Sequence, residues 1–264
     1  MTRLKLGVIL EQLQRPPREG LSAASALSVN GVQVSAGGEL APAALGETAR
    51  REFRTLLKSY NLELSAVACP LRHGVDEREN QQPRLEQVRR GMQLACDLGA
   101  RKIILPCPAL PTDAAAPRAL ILRESLTDLS QFGDRIGCLV ALECGLDAAA
   151  KVREYVSSFA TGSLAVNFDP ANFLMNGHDP YASATALGDK IVHTHARDAR
   201  TATAQGGPRE VPVGAGDIEW MLFVATLEAI QYRGYLVVER GEGNDTATDV
   251  AAGVRFLRRF AGPA

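Results

Sequence analysis

Short apolar runs alternate along this chain with longer segments whose apolar positions recur at helical spacing. Leu4 to Leu10 reads as a first strand, followed by a helical stretch around Leu21 to Leu27. Gly31 to Ser35 is a second, short strand, and Glu47 to Ser59 carries Phe53, Leu56 and Leu57 at helical spacing. Leu62 to Cys69 is a third strand. Arg84 to Leu98 is a helix closed by Gly99, whose freedom to adopt a left-handed backbone suits a helix stop. Lys102 to Leu105, Cys138 to Leu142, Leu164 to Phe168, Ile191 to Thr194 and Leu236 to Val238 complete the strands. Helices over Arg118 to Phe132, Ala148 to Phe159, Tyr181 to Leu187, Ile218 to Tyr232 and Thr246 to Phe260 fill the gaps. The Pro- and Ala-rich stretch from Pro106 to Pro117 reads as a long loop over one end of the fold.

Strict strand–helix alternation implies parallel strands. Runs such as Ile103-Ile104-Leu105 and Leu236-Val237-Val238 are apolar on both faces, as strands enclosed between helices and an inner core must be. Eight such units fit a closed (β/α)8 TIM barrel, expected to take in residues 1–264 as one α/β domain. An open doubly wound sheet is the alternative. It would ordinarily carry a Gly-x-Gly-x-x-Gly turn after its first strand, which this chain lacks. The barrel is the better reading.

Composition narrows the setting. A formal net charge of -1, with Lys and Arg scattered, offers no basic face for a nucleic acid. The five cysteines include no Cys-x-x-Cys pair, so thiols in a reducing, cytoplasmic setting are expected rather than a disulfide framework. The apolar run between Lys5 and Glu11 is too short for a signal-peptide core. No run reaches the roughly 20 residues of a membrane helix, so no membrane partner is expected either.

The chemistry lies at the ends of the last four strands. Leu139 to Leu142 runs into Glu143, Leu164 to Phe168 into Asp169, Ile191 to Thr194 into His195, and Leu236 to Val238 into Glu239. In a barrel the carboxyl ends of all strands open on one face, where active sites sit. Four consecutive strands then bring three carboxylates and one imidazole together. Clustered carboxylates repel, raising one another's pKa, and a divalent cation between them resolves that conflict. Taken singly, an Asp or Glu after a strand is ordinarily a helix cap or a salt-bridge partner, and Asp169 before Pro170 fits that description. Four in succession are hard to explain so. The absence of thiolate argues against structural zinc. Three oxygen donors and one nitrogen favour manganese, with zinc, cobalt and magnesium as further candidates.

At these residues the sequence resembles the sugar phosphate isomerase/epimerase superfamily, the xylose isomerase-like barrels that include ketose 3-epimerases, inosose dehydratase and the endonuclease IV branch. The motifs are Leu142-Glu143, Asn167-Phe168-Asp169-Pro170-Ala171-Asn172, His195-x-x-Asp198, Gly214-Ala215-Gly216-Asp217-Ile218, and Gly234-Tyr235 leading into Glu239. They cover the C-terminal half; the N-terminal half matches mainly in rhythm. The resemblance implies one divalent metal on Glu143, Asp169, His195 and Glu239. It further implies that Glu143 and Glu239 are the catalytic acid/base pair, exchanging protons with a substrate carbon from opposite sides. It also implies a small carbohydrate substrate and, as in many similar barrels, a homo-oligomer.

Two departures matter. Asn172 stands where the family often has His after the sixth strand, so Asn172 is a candidate substrate contact of altered chemistry. Only four histidines are present, too few for the three-metal endonuclease branch.

Other candidates are weaker. His193 shares the inward face of its strand with His195, and is read as a substrate contact, a residue orienting a ligand, or a core histidine. His73, with Arg72, follows the third strand at the same rim and is a further candidate contact. Arg197 and Arg209 lie in the long seventh loop, Ala196 to Gly216, and can bind a substrate oxygen or stay solvated. Asp198 is read as holding that loop or His195 in place, or as a turn cap; Trp220 as packing; and His178 as a loop residue that can cap the following helix. The expected function is metal-dependent isomerisation or epimerisation of a small sugar, polyol or keto-acid through an enediolate. A lyase, dehydrating an inosose or splitting a keto-glycoside, and a catalytically silent sugar-binding barrel are the alternatives.

Overall fold

The computed structural model describes residues 4–202 and 206–261. The expectation of no signal segment therefore falls partly outside the described residues at residues 1–3, as does the seventh loop at 203–205. Ten strands occur among the described residues: β1 (Lys5–Ile9), β2 (Gly31–Ser35), β3 (Glu63–Ala68), β4 (Lys102–Pro106), β5 (Leu139–Cys144), β6 (Leu164–Phe168), β7 (Ile191–Ala196), β8 (Asp198–Arg200), β9 (Arg209–Val211) and β10 (Tyr235–Val238). Eight of them close a parallel barrel in the order β1-β10-β7-β6-β5-β4-β3-β2, and β8 and β9 form a separate antiparallel pair. The open-sheet alternative is thereby excluded.

The helices are α1 (Pro17–Ala26), α2 (Glu47–Ser59), α3 (Gln81–Leu98), α4 (Pro117–Ile136), α5 (Ala149–Ser157), α6 (Pro170–Met175), α7 (Pro180–Leu187), α8 (Trp220–Ala229) and α9 (Thr246–Ala261). Their ends follow local chemistry. Proline opens α1, α4, α6 and α7, where its missing N–H costs no helical bond. Gly99 ends α3 at φ +93°. None of these helices is long and apolar enough to cross a membrane, and all five cysteines are free.

Side-chain alternation decides what faces the barrel axis. Phe168 points outward from β6 and stacks on Phe173 of α6 and Phe223 of α8, with ring centroids 4.7 and 5.7 Å away. Burying each such ring stabilises the fold by about 1.5–3 kcal/mol. Fixing Phe168 outward turns Asn167 and Asp169 inward, and a one-residue slip would reverse both. Register carries the same phase round the barrel: Glu143 pairs with Asn167, Asn167 with His193, and His195 with Val237, two residues before Glu239. Deeper inside, Ala66, Ile104 and Ala141 form a small inner cluster.

Candidate metal centre

Glu143, Asp169, His195 and Glu239 come from β5, the end of β6, β7 and the end of β10, which are neighbours in the barrel. One ligating atom from each lies within 4.8 Å of all the others. His195 Nδ1 is 2.7 Å from Glu239 Oε2 and 3.7 Å from Glu143 Oε2. Asp169 and His195 are buried, while Glu143 and Glu239 keep a partial opening to solvent.

Asp169 does two things at once. Its Oδ1 accepts the Asn172 backbone N–H at 3.1 Å, capping α6, and its Oδ2 accepts Arg197 Nη1 at 2.9 Å. The cap reading of this residue holds, and the residue still belongs to the cluster.

The cluster fits a divalent cation on its own chemistry. Glu239 Oε2 is buried without a hydrogen-bond partner although it lies 2.7 Å from an imidazole nitrogen. A cation between the two atoms satisfies both. Without one, the electrostatics are strained. Burial, helped by the charges of Glu239 and Asp169, pushes the Glu143 carboxyl up to about 7. Burial likewise raises Asp169, against the pull of Arg197. His195 is driven the other way by burial, but the Glu239 and Glu143 charges win and hold its proton up to about 9. The Glu239 carboxyl, despite burial, is kept below its usual range by His195 and Arg197. Three acids and a base thus share protons that a metal would displace.

Arg197 is the cluster's fixed cation. Its Nη1 also donates to Asn172 Oδ1 at 3.1 Å, and Nε and Nη2 donate to Glu210 Oε2 at 3.2 and 2.7 Å. Glu210, buried on β9, also takes Arg240 Nη1 at 2.6 Å, and Arg240 Nε donates to Asp249 at 2.8 Å. With these bonds made, only 14 % of the Arg197 side chain is exposed.

Asn172 does reach the centre. Its Oδ1 is taken by Arg197, so its Nδ2 is the atom turned to Glu143 Oε1, 3.2 Å away. Gly145 makes room for this arrangement: its φ is +148°, and a Cβ there would stand 2.4 Å from Asn172 Cβ.

The remaining candidates are placed elsewhere. His193 is fully enclosed, with Nδ1 2.8 Å from Asn167 Oδ1 and Nε2 3.3 Å from Ser65 Oγ. Burial, then the charges of His195 and Lys102, pushes its pKa well below the usual range. In this position it is a buried histidine held by two polar partners. His73 is exposed, with Nδ1 3.0 Å from Glu77 Oε2, outside the four-residue group. Arg72 is exposed too, and Arg209 is exposed opposite Arg200 in the β8–β9 pair. Asp179, not His178, caps α7; His178 packs edge-on against Phe173.

Asp198 holds the seventh loop. Buried, it accepts backbone N–H groups of Ala199, Gly214, Gly216 and Ile218, and the Trp220 indole N–H at 3.0 Å. Gly216 must lack a side chain, since a Cβ would stand 2.0 Å from Asp198 Oδ1.

Sequence reasoning missed Gln33, whose Oε1 is 2.9 Å from His195 Nε2, together with Asn167 and Glu210. A signal existed for two of them. Gln33 and Asn167 are polar residues flanked by apolar ones within their strands, and a buried polar group needs a partner.

Comparison with known proteins agrees with this architecture. No curated protein matches the chain by sequence. Among solved structures, a xylose isomerase domain protein from Planctomyces limnophilus superposes with a TM-score of 0.83 at 21% identity, covering 98% of this chain and 99% of that one. A D-tagatose 3-epimerase-like protein gives 0.79 at 16% identity, covering 97% of each chain. The 3-keto-D-glucoside 4-epimerase of E. coli gives 0.76 at 18% identity, covering 97% of this chain and 100% of its own. The profile of one family matches residues 21–260, and the chain belongs to that family, the xylose isomerase-like TIM barrels.

Proposed function

We propose that this protein is a divalent-metal-dependent isomerase or epimerase of a small sugar, polyol or keto-acid. The observation that carries the reading is the convergence of four ligating atoms within 4.8 Å, with Glu143 and Glu239 at the two ends of the run of strands. Glu143, Asp169, His195 and Glu239 would hold the ion, and their three oxygens and one nitrogen favour manganese. The ion, when bound, supplies a Lewis acid for a carbonyl and its neighbouring hydroxyl, making the adjacent C–H acidic enough to exchange.

The chain's own groups do the rest. Glu143 and Glu239 are the partly open members of the cluster, so a substrate reaches them first. One removes the proton beside the carbonyl and the other returns one, as general base and general acid. Asn172 donates to Glu143 Oε1 and thereby aims the other oxygen of that carboxylate. Asp169, capped and paired with Arg197, is too committed to move a proton and serves as ligand only. The D-tagatose 3-epimerase-like protein and the 3-keto-D-glucoside 4-epimerase share the barrel and support a carbohydrate substrate.

The test is solvent-deuterium incorporation into a panel of ketoses and inososes. Wild-type protein with manganese is expected to label the substrate carbon and to yield an epimer or isomer. Glu143→Gln and Glu239→Gln should each lower labelling by about 10²-fold or more. A dehydrated or unsaturated product would assign a lyase. Sugar binding without any labelling would assign a silent binder.

A further inference from the structure

Gln33 enters the barrel interior from β2, three strands round from β7, and its side chain is 2% exposed at residue level. Its Oε1 lies 2.9 Å from His195 Nε2. A carboxamide oxygen only accepts, so the proton of that bond belongs to Nε2. The opposite ring nitrogen, Nδ1, is the one that faces Glu239 and Glu143. An imidazole binds a metal through an unprotonated nitrogen, and the bond made by its other nitrogen selects which one that is.

We propose that Gln33 is a positioning residue for the metal centre: by holding the proton on His195 Nε2, it keeps Nδ1 as the ligating atom and fixes the ring across the barrel axis. The inference rests on reading Glu143, Asp169, His195 and Glu239 as metal ligands.

A second contact supports it from below. Asn167 gives its Oδ1 to His193 Nδ1 at 2.8 Å, so its amide nitrogen is the atom turned toward His195. That nitrogen lies 3.2 Å from Nδ1 and 3.5 Å from Nε2 of the ring. Distances so nearly equal put it over the ring face, since an in-plane position between the two nitrogens would collide with Cε1. The amide braces the ring without standing in line with the Nδ1 lone pair. His193 is seated in turn on Ser65 Oγ, which makes the barrel floor a continuous support for the ligand.

The experiment compares wild type with Gln33→Leu, Gln33→Met and Gln33→Glu, using manganese alone as the probe. The two apolar variants should weaken manganese binding by about tenfold to a hundredfold, the usual effect of losing a partner behind a metal ligand. Gln33→Glu keeps an acceptor at the same reach and should restore binding. A purely structural role predicts instead that all three variants change together, in step with their thermal stability. Independently of metal, 1H–15N spectra of the metal-free protein should show a slowly exchanging His195 Nε2–H that is lost in Gln33→Leu. Unchanged manganese affinity in both apolar variants would overturn the role of Gln33 and leave the metal site standing. A protected Nε2–H in a wild-type protein that binds no manganese, magnesium, zinc or cobalt would instead overturn the metal reading, and the positioning role with it.

Discussion

Glu239 Oε2, buried and without a hydrogen-bond partner, lies 2.7 Å from His195 Nδ1. Charge dominates the pair, and the stability of the protein without metal must follow the protons that the cluster shares. Glu143 titrates at about 7 in place of 4.5, so its protonated form favours folding below about 4.5 and that contribution is lost as pH rises through 7. His195 titrates at about 9 in place of 6.5, so its contribution is present below 6.5 and lost as pH rises through 9. Asp169 is raised and acts in the same direction, whereas Glu239 is lowered and acts oppositely at acid pH. Metal-free protein should therefore lose thermal stability steadily between pH 5 and 9. At a fixed manganese concentration the added stability, about 2.7 kcal/mol where the ion stands at a hundred times its Kd, should grow as pH rises and the cluster gives up its protons, so that the slope is reduced. Calorimetry across that range, with and without the ion, checks both statements.

Arg197 bridges Asp169 and Glu210 while itself mostly buried. Removing one partner of a buried ion pair strands the others, at about 3–5 kcal/mol. Arg197→Met is expected to destabilise the protein by that order, and Arg197→Lys by less, because an ammonium lacks the planar fork that serves both carboxylates. Adding Glu210→Gln to Arg197→Met should recover part of the loss. Urea unfolding of the single and double variants decides it.

Asp198 gathers four backbone N–H groups and the Trp220 indole. Trp220→Phe removes one charge-assisted bond and should cost about 1.5–3 kcal/mol, with some loss of packing besides. Asp198→Ala leaves several donors without an acceptor and should cost more. Amide hydrogen exchange at Gly214, Gly216 and Ile218 should speed up in Asp198→Ala and change little in Trp220→Phe.

Gly145 and Asn172 approach too closely for any side chain at position 145. Gly145→Ala forces a left-handed backbone on alanine and pushes α6 away from Glu143. If the amide of Asn172 orients Glu143 for proton transfer, Gly145→Ala should lower kcat with manganese still bound. Metal content and steady-state rates, measured on the same preparation, separate this from simple loss of the ion.

The barrel and the four-residue cluster were legible because both depend on short-range pattern. Leu164 to Phe168 and Gly31 to Ser35 were bounded to the residue, and each ligand steps off an apolar strand. Helix α6 was missed because six residues after Pro170 show too little periodicity to read. The β8–β9 pair was missed because three-residue strands such as Asp198–Arg200 carry no alternation. Gln33 showed only as a polar residue between two valines; its partner was unreadable because it meets His195 only once the barrel closes and the bulges in its register are set. The same closure turns Arg197 onto Asp169 and hides His193, which local spacing alone had made candidates for substrate contact.

The most direct test is the metal content of purified protein by elemental mass spectrometry, read against His195→Ala combined with Glu239→Gln. One divalent ion per chain in the wild type, absent from the double variant while its barrel still folds, is the predicted result. A wild-type chain that holds no ion after loading, or a double variant that holds as much, would contradict the account.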